Sequence, residues 1–143
     1  MAQELKILVI NGPNLNLLGK REPDVYGNQS FEDYFSKLQF QFKETELSYF
    51  QSNSEGDLIT KIQDADGVFD GIVLNAAAYT HTSVGIGDAI AAVSVPVIEV
   101  HLSDPATREG FRHLSYVGIA AVDEVKGLGP RGYAVALEKA AAL

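Results

Sequence analysis

The chain of 143 residues contains no cysteine and no tryptophan. Without cysteine there are no disulfides, thiolate nucleophiles or zinc–thiolate sites, which fits a reducing compartment. Basic residues are scarce: 11 Lys and Arg stand against 19 Asp and Glu, a net charge of −8. That balance argues against nucleic acid or an anionic membrane surface as partner. Long apolar runs are missing too, so no segment reads as a membrane span. Glu4 and Lys6 interrupt any apolar signal core at the start, and a cytoplasmic location is expected. No G-x-S-x-G elbow occurs, which leaves a serine hydrolase without support. What is present is ordinary for a globular protein: 46% hydrophobic and 21% charged residues. One domain over residues 1–143 is the simplest organisation at this length.

Apolar strand-like runs alternate with helix-like segments along the chain. "LKILVI" (5–10), "LSYFQS", "GIVLN" (71–75), "PVIEVHLS" and "VGIAAVDEV" read as five strands. Between them, "SFEDYFSKLQFQFKETE" spaces Phe31, Phe35, Leu38 and Phe42 as one helical face, with Ser30 and Asp33 placed like a capping box. "SEGDLITKIQDAD", "TSVGIGDAIAAVS", "ATREGFRHLS" and "PRGYAVALEKAAAL" complete five predicted helices. Such alternation predicts an α/β fold with a parallel sheet covered on both faces. At this length the best match is a flavodoxin-like, doubly wound, five-stranded sheet. Ligands of such folds bind at the carboxyl ends of the strands, so polar residues there carry the functional signal. "GLGPRG" (127–132) formally matches a dinucleotide fingerprint, but too little chain follows for the next strand. A glycine-rich turn into the last helix accounts for it better.

Three polar clusters fall at predicted strand ends. The first strand empties into "INGPNLNLLGKREPDVYG" (10–27), with three Gly, two Pro and three Asn. A connection this long in a small domain points to function or disorder. The third strand ends at Asn75 and runs into His81, where a capping or packing role competes with ligand binding. The fourth carries Glu99 and His101, two apart and therefore on one side of a strand. A carboxylate beside an imidazole fixes its tautomer and favours its protonated form, as a proton donor near neutral pH requires; a structural polar pair is the alternative. In the long connection, Arg21 precedes Tyr26 by five residues. Tyrosine titrates near ~10, and lowering that by ~2 units takes about 2.7 kcal/mol, within reach of a partly desolvated guanidinium. A base at Tyr26, an acid at His101 and an amide at Asn14 would suit proton abstraction beside a carbonyl followed by loss of water. On these residues alone, a non-catalytic module binding a small anion or flavin stays open. A Schiff-base enzyme is less favoured, because none of the seven lysines ends a buried strand.

Taken together, "NGPNLNLLGKREPDVYG", "NAAAYTHTS", "IEVHLS", "REGFRHLSY" and "GLGPRGYAVAL" resemble the type II 3-dehydroquinate dehydratases, in order and over essentially the whole chain. The resemblance implies a flavodoxin-like fold and an anti elimination of water from 3-dehydroquinate through an enolate. The product would be 3-dehydroshikimate, in the shikimate pathway of aromatic amino acid biosynthesis, with no metal or organic cofactor. It makes Tyr26 the base that takes the C2 proton and Arg21 the group that activates it. His101 becomes the acid for the departing C1 hydroxyl, Glu99 its orienting partner, and Asn14 the holder of a water on the enolate oxygen. Asn75, Leu102 and Ser103 are implied at the substrate carboxylate and hydroxyls, His81 and Arg112 at the ring hydroxyls. Asp88 is implied to reach a neighbouring subunit's site in a homododecamer, a tetramer of trimers. Arg108 is assigned a lid or electrostatic role. The chain departs from the family's pattern at Ala76 and Ala77, where a glycine is usual, and at Asp104, where asparagine is usual. A Cβ at the first place is expected to shift the loop. Negative charge at the second is expected to weaken substrate binding more than chemistry.

Overall fold

The central strands are near-continuous apolar runs because the middle of the sheet is buried on both faces. In a computed structural model that describes residues 4–20 and 29–143, five strands pair in parallel. They are β1 (Leu5–Asn11), β2 (Thr45–Gln51), β3 (Gly71–Asn75), β4 (Val97–Val100) and β5 (Asp123–Val125), in the spatial order β2-β1-β3-β4-β5. The helices are α1 (Phe31–Gln41), α2 (Glu55–Ala65), α3 (Val84–Ala92), α4 (Tyr116–Ala120) and α5 (Gly132–Ala141). This is the flavodoxin-like order expected from the alternation. Its topological switch point lies between β1 and β3, where Asn11 and Asn75 are register partners.

Alternation along β1 divides the core. Ile7 and Val9 pack with Phe31 and Leu38 of α1 and Tyr133 and Leu137 of α5. Leu8 and Ile10 pack on the other face with Leu58 and Ile62 of α2 and Ile86 of α3. The aromatic stripe of α1 is therefore core: Phe31 stacks on Tyr49 at 4.7 Å and meets Tyr133 edge-on at 4.8 Å. Helix starts follow the sequence signals, with Ser30, Ser54 and Ser83 each accepting a backbone N–H three residues on.

Two expected elements are different. "ATREGFRHLS" is not a helix but two single 3₁₀ turns, Pro105–Thr107 and Gly110–Arg112. Asp104 and Pro105 start the first turn and the extended Arg108 ends it, so Arg108 and Arg112 do not share a helical face. "VGIAAVDEV" is not one strand either. Ser115 accepts from Gly118 N at 2.8 Å and starts α4, leaving only Asp123–Val125 for β5. A serine three residues ahead of a glycine N–H outweighed the β propensity of valine and isoleucine here. "GLGPRG" is the turn expected: Gly127 and Gly129 take φ of 78° and 64°, and their N–H groups donate to the carbonyls of Ser103 and Leu102. It thereby braces the segment after β4.

Candidate active site

A cavity of about 190 Å³ opens at the carboxyl ends of β1, β3 and β4. Its floor is polar and held from below. Tyr133, fully buried on α5, donates its hydroxyl to Asn11 Oδ1 at 2.7 Å and accepts from Asn75 Nδ2 at 3.0 Å. Burial raises the Tyr133 pKa far above the ordinary phenol range, so the ring stays a neutral donor. Asn75 Oδ1 takes the N–H of Ala77 at 3.1 Å. With both ends of its amide engaged, Asn75 has one defined orientation beside the cavity.

Ala77 itself has a φ of 53°, a left-handed conformation that a Cβ disfavours. Here an alanine holds a backbone geometry that glycine adopts without cost. Asn14, at 69°, is the other non-glycine residue with positive φ among those described. Both line the cavity, as strained residues tend to do at functional sites. Asn14 is held by its backbone: its N–H donates to Asn53 Oδ1 at 3.0 Å, and its side chain makes no capping bond in the Leu15–Leu17 turn it precedes. Tyr79 in turn donates to the Asn53 carbonyl at 2.8 Å.

At the end of β4, His101 Nε2 lies 2.7 Å from Glu99 Oε2. Both are buried, His101 to 8% exposure and Glu99 to 1%. Burial alone would raise the Glu99 pKa. The His101 hydrogen bond and charge, with a 2.6 Å bond from Ser115 Oγ, hold it below the usual carboxylate range instead. Glu99 is therefore a carboxylate at neutral pH, Nε2 carries the proton facing it, and Nδ1 is the ring nitrogen left for a ligand. Across the cavity the His81 ring lies 6.3 Å from that of His101, nearly parallel. His81 Nδ1 donates to the Leu114 carbonyl at 2.8 Å. Burial depresses its pKa, further helped by the neighbouring His101 and Arg112, so His81 is neutral and offers Nε2 as an acceptor.

Arg108 and Arg112 both line the cavity, brought there by the two 3₁₀ turns. Glu109 sits between them, 2.6 Å from Arg112 Nε and 4.0 Å from Arg108 Nε. Of the sequence-predicted residues, Asn14, Asn75, His81, His101, Leu102, Ser103 and Arg112 line one cavity. Glu99 lies behind His101 instead of at the wall. Asp88 is exposed on α3 and is not among the lining residues. Arg21 and Tyr26 lie outside the described residues. Asp104 lies between the lining residues Ser103 and Pro105 without lining the cavity itself, and its carboxylate accepts from Ala106 N at 3.0 Å as the cap of a turn. The residue before a proline-led turn is a natural cap, which is the physical reason. Sequence reading missed Asn11, Asn53, Ser115 and Tyr133. Only Ser115 carried a legible signal, its capping position, while the others act through contacts 39 to 122 residues apart.

Residues 5–141 match the family model described as "Dehydroquinase class II". A 3-dehydroquinate dehydratase of Bacillus licheniformis is 54% identical over 134 residues, 92% of each chain. Among solved structures, the type II dehydroquinase of Butyrivibrio crossotus superposes with a TM-score of 0.94 at 44% identity, covering 98% of this chain and 99% of that one. The type II dehydroquinase of Propionibacterium acnes gives 0.92 at 37% identity, covering 100% and 99%.

Proposed function

The chain belongs to the class II dehydroquinase family and is a hydro-lyase that converts 3-dehydroquinate to 3-dehydroshikimate; we propose that His101 is its general acid. The observation that carries this assignment is the buried Glu99–His101 pair at 2.7 Å, beside a cavity shared with Asn14 and Asn75. In this reading the Tyr26 phenolate, stabilised by Arg21, removes the C2 proton. The electron pair moves onto the C3 carbonyl oxygen as an enolate, stabilised through a water held by Asn14. Collapse of the enolate breaks the C1–O bond, and the leaving hydroxyl takes the proton of His101 Nδ1 to depart as water. Tyr26 ends protonated and His101 neutral, so one proton transfer back through solvent resets the site. Glu99 orients the ring for its proton donation through the 2.7 Å bond to Nε2. Asn75, Leu102 and Ser103 orient the carboxylate and a hydroxyl, while neutral His81 accepts from a ring hydroxyl and Arg112 donates to another.

The same reading carries a homododecamer built as a tetramer of trimers, with exposed Asp88 contributing to a neighbour's site, and a cytoplasmic enzyme of the shikimate pathway. Among the described residues no helix is long and apolar enough to cross a membrane. The test is an ultraviolet assay of the conjugated enone product for wild type, His101→Ala and Tyr26→Phe. Each variant is expected to lose at least ~100-fold in kcat, the usual scale for general acid–base catalysis. Wild-type kcat in His101→Ala would remove the acid from that residue. Inactivation by borohydride with substrate would instead indicate an imine route.

A further inference from the structure

We propose that Ser115 is a positioning residue for the Glu99–His101 pair, acting on the reaction through Glu99 and resting on the reading of His101 as the acid. Its hydroxyl has two partners. It donates to Glu99 Oε2 at 2.6 Å and accepts from Gly118 N at 2.8 Å. A hydroxyl has one proton, and the Gly118 N–H can only donate, so the proton of Ser115 must face the carboxylate. Glu99 Oε2 thus receives two donors, His101 Nε2 and Ser115 Oγ, while Oε1 is buried with no hydrogen-bond partner among the described residues. The direction of the carboxylate, and with it the plane of the imidazole, is set by that pair of bonds.

Gly118 completes the device. A Cβ at this position would lie 3.0 Å from Glu99 Oε1 and 3.1 Å from Ser115 Oγ. A side chain here would therefore press the carboxylate and the hydroxyl out of their present positions by a few tenths of an ångström. The N-cap of α4 and the orientation of the acid are one arrangement: the backbone N–H of Gly118 orients Ser115, Ser115 orients Glu99, and Glu99 orients His101. Neither Ser115 nor Gly118 lines the cavity, so neither is expected to change substrate binding.

The test is a double-mutant cycle in the enone assay, with Ser115→Ala measured in wild-type and His101→Ala backgrounds. In the wild-type background kcat is expected to fall about tenfold, the scale of a lost hydrogen bond to a charged group, with KM within about twofold. Ser115→Thr, which keeps donor and cap, restores kcat to within about threefold of wild type. In the His101→Ala background Ser115→Ala produces no further loss. The same fractional loss in both backgrounds, or wild-type kcat in Ser115→Ala, overturns the proposal. Should Ser115→Ala fail to fold, Gly118→Ala decides, because its Cβ presses on both the Glu99 carboxylate and the Ser115 hydroxyl and so disturbs the same chain of bonds. A fall in kcat with unchanged KM supports the proposal, and wild-type kcat refutes it. Wild-type activity in His101→Ala alone would instead refute the acid reading, a separate failure.

Discussion

Tyr133→Phe removes a single oxygen atom from the middle of the molecule, and its cost follows from who loses a partner. The hydroxyl joins Asn11 of β1, Asn75 of β3 and helix α5, and the ring is fully buried. Phenylalanine keeps the ring packing, including the edge-on contact with Phe31. It leaves Asn11 Oδ1 without its 2.7 Å donor and Asn75 Nδ2 without its 3.0 Å acceptor. An orphaned buried polar group costs about 1–3 kcal/mol, and part of each penalty is relieved by small rotations of the two amides. About 2.5 kcal/mol of destabilisation results. A chain this long unfolds with an entropy of roughly 0.3 kcal/mol per kelvin, so Tm is expected to drop by about 8 °C. Urea denaturation at one fixed protein concentration measures the loss, with the midpoint lower by about 1 M at unchanged slope. The control is Tyr49→Phe. That hydroxyl takes only a 3.4 Å bond from Asn11 and its ring is half-buried, so its loss costs under about 1 kcal/mol. KM should also rise in Tyr133→Phe, because Asn75 loses one of its two anchors. Equal midpoints for the two variants, or a Tyr133→Phe midpoint at the wild-type value, would refute the network as the element that ties the switch point together.

Other consequences are equally direct. Ala77→Gly releases a left-handed alanine worth about 1–2 kcal/mol, against about 0.4–1 kcal/mol of added unfolded-state entropy. The variant should be more stable by about 0.5–1 kcal/mol, and a lower urea midpoint than wild type would contradict the strain. Asp104→Asn replaces one capping acceptor by another outside the cavity, so KM is expected to stay within twofold of wild type. A tenfold fall in KM would reinstate the electrostatic role first expected of Asp104. Glu99 is held below its ordinary value of 4.5 in the folded state, so its contribution is present above that value and lost as pH falls through the lower folded one. Glu99→Gln should therefore flatten the loss of stability below about pH 4.5, and unchanged acid slopes in urea titrations would argue against a depressed carboxyl.

The order of apolar and polar residues was enough to place the centre of the sheet, because a strand covered on both faces must read as an uninterrupted apolar run. It was also enough to put Asn75, Glu99 and His101 at strand ends, since strand polarity in a parallel sheet sends all of them to one edge. It failed where local chemistry competed: "VGIAAVDEV" has the composition of a strand, yet the Ser115 cap turned its first half into α4. Arg108 and Arg112 reach one cavity without sharing a helix, because the two 3₁₀ turns and the 127–129 brace fold that segment over the end of β4. Asp104 stands in sequence between two lining residues, yet its carboxylate caps a turn through a backbone N–H instead of lining the pocket. Residue order could reveal which groups are chemically able to act. Which of them are oriented was decided by contacts such as Tyr133 to Asn11, 122 residues apart, because a hydrogen bond depends on distance and direction in space and leaves no periodic trace along the chain.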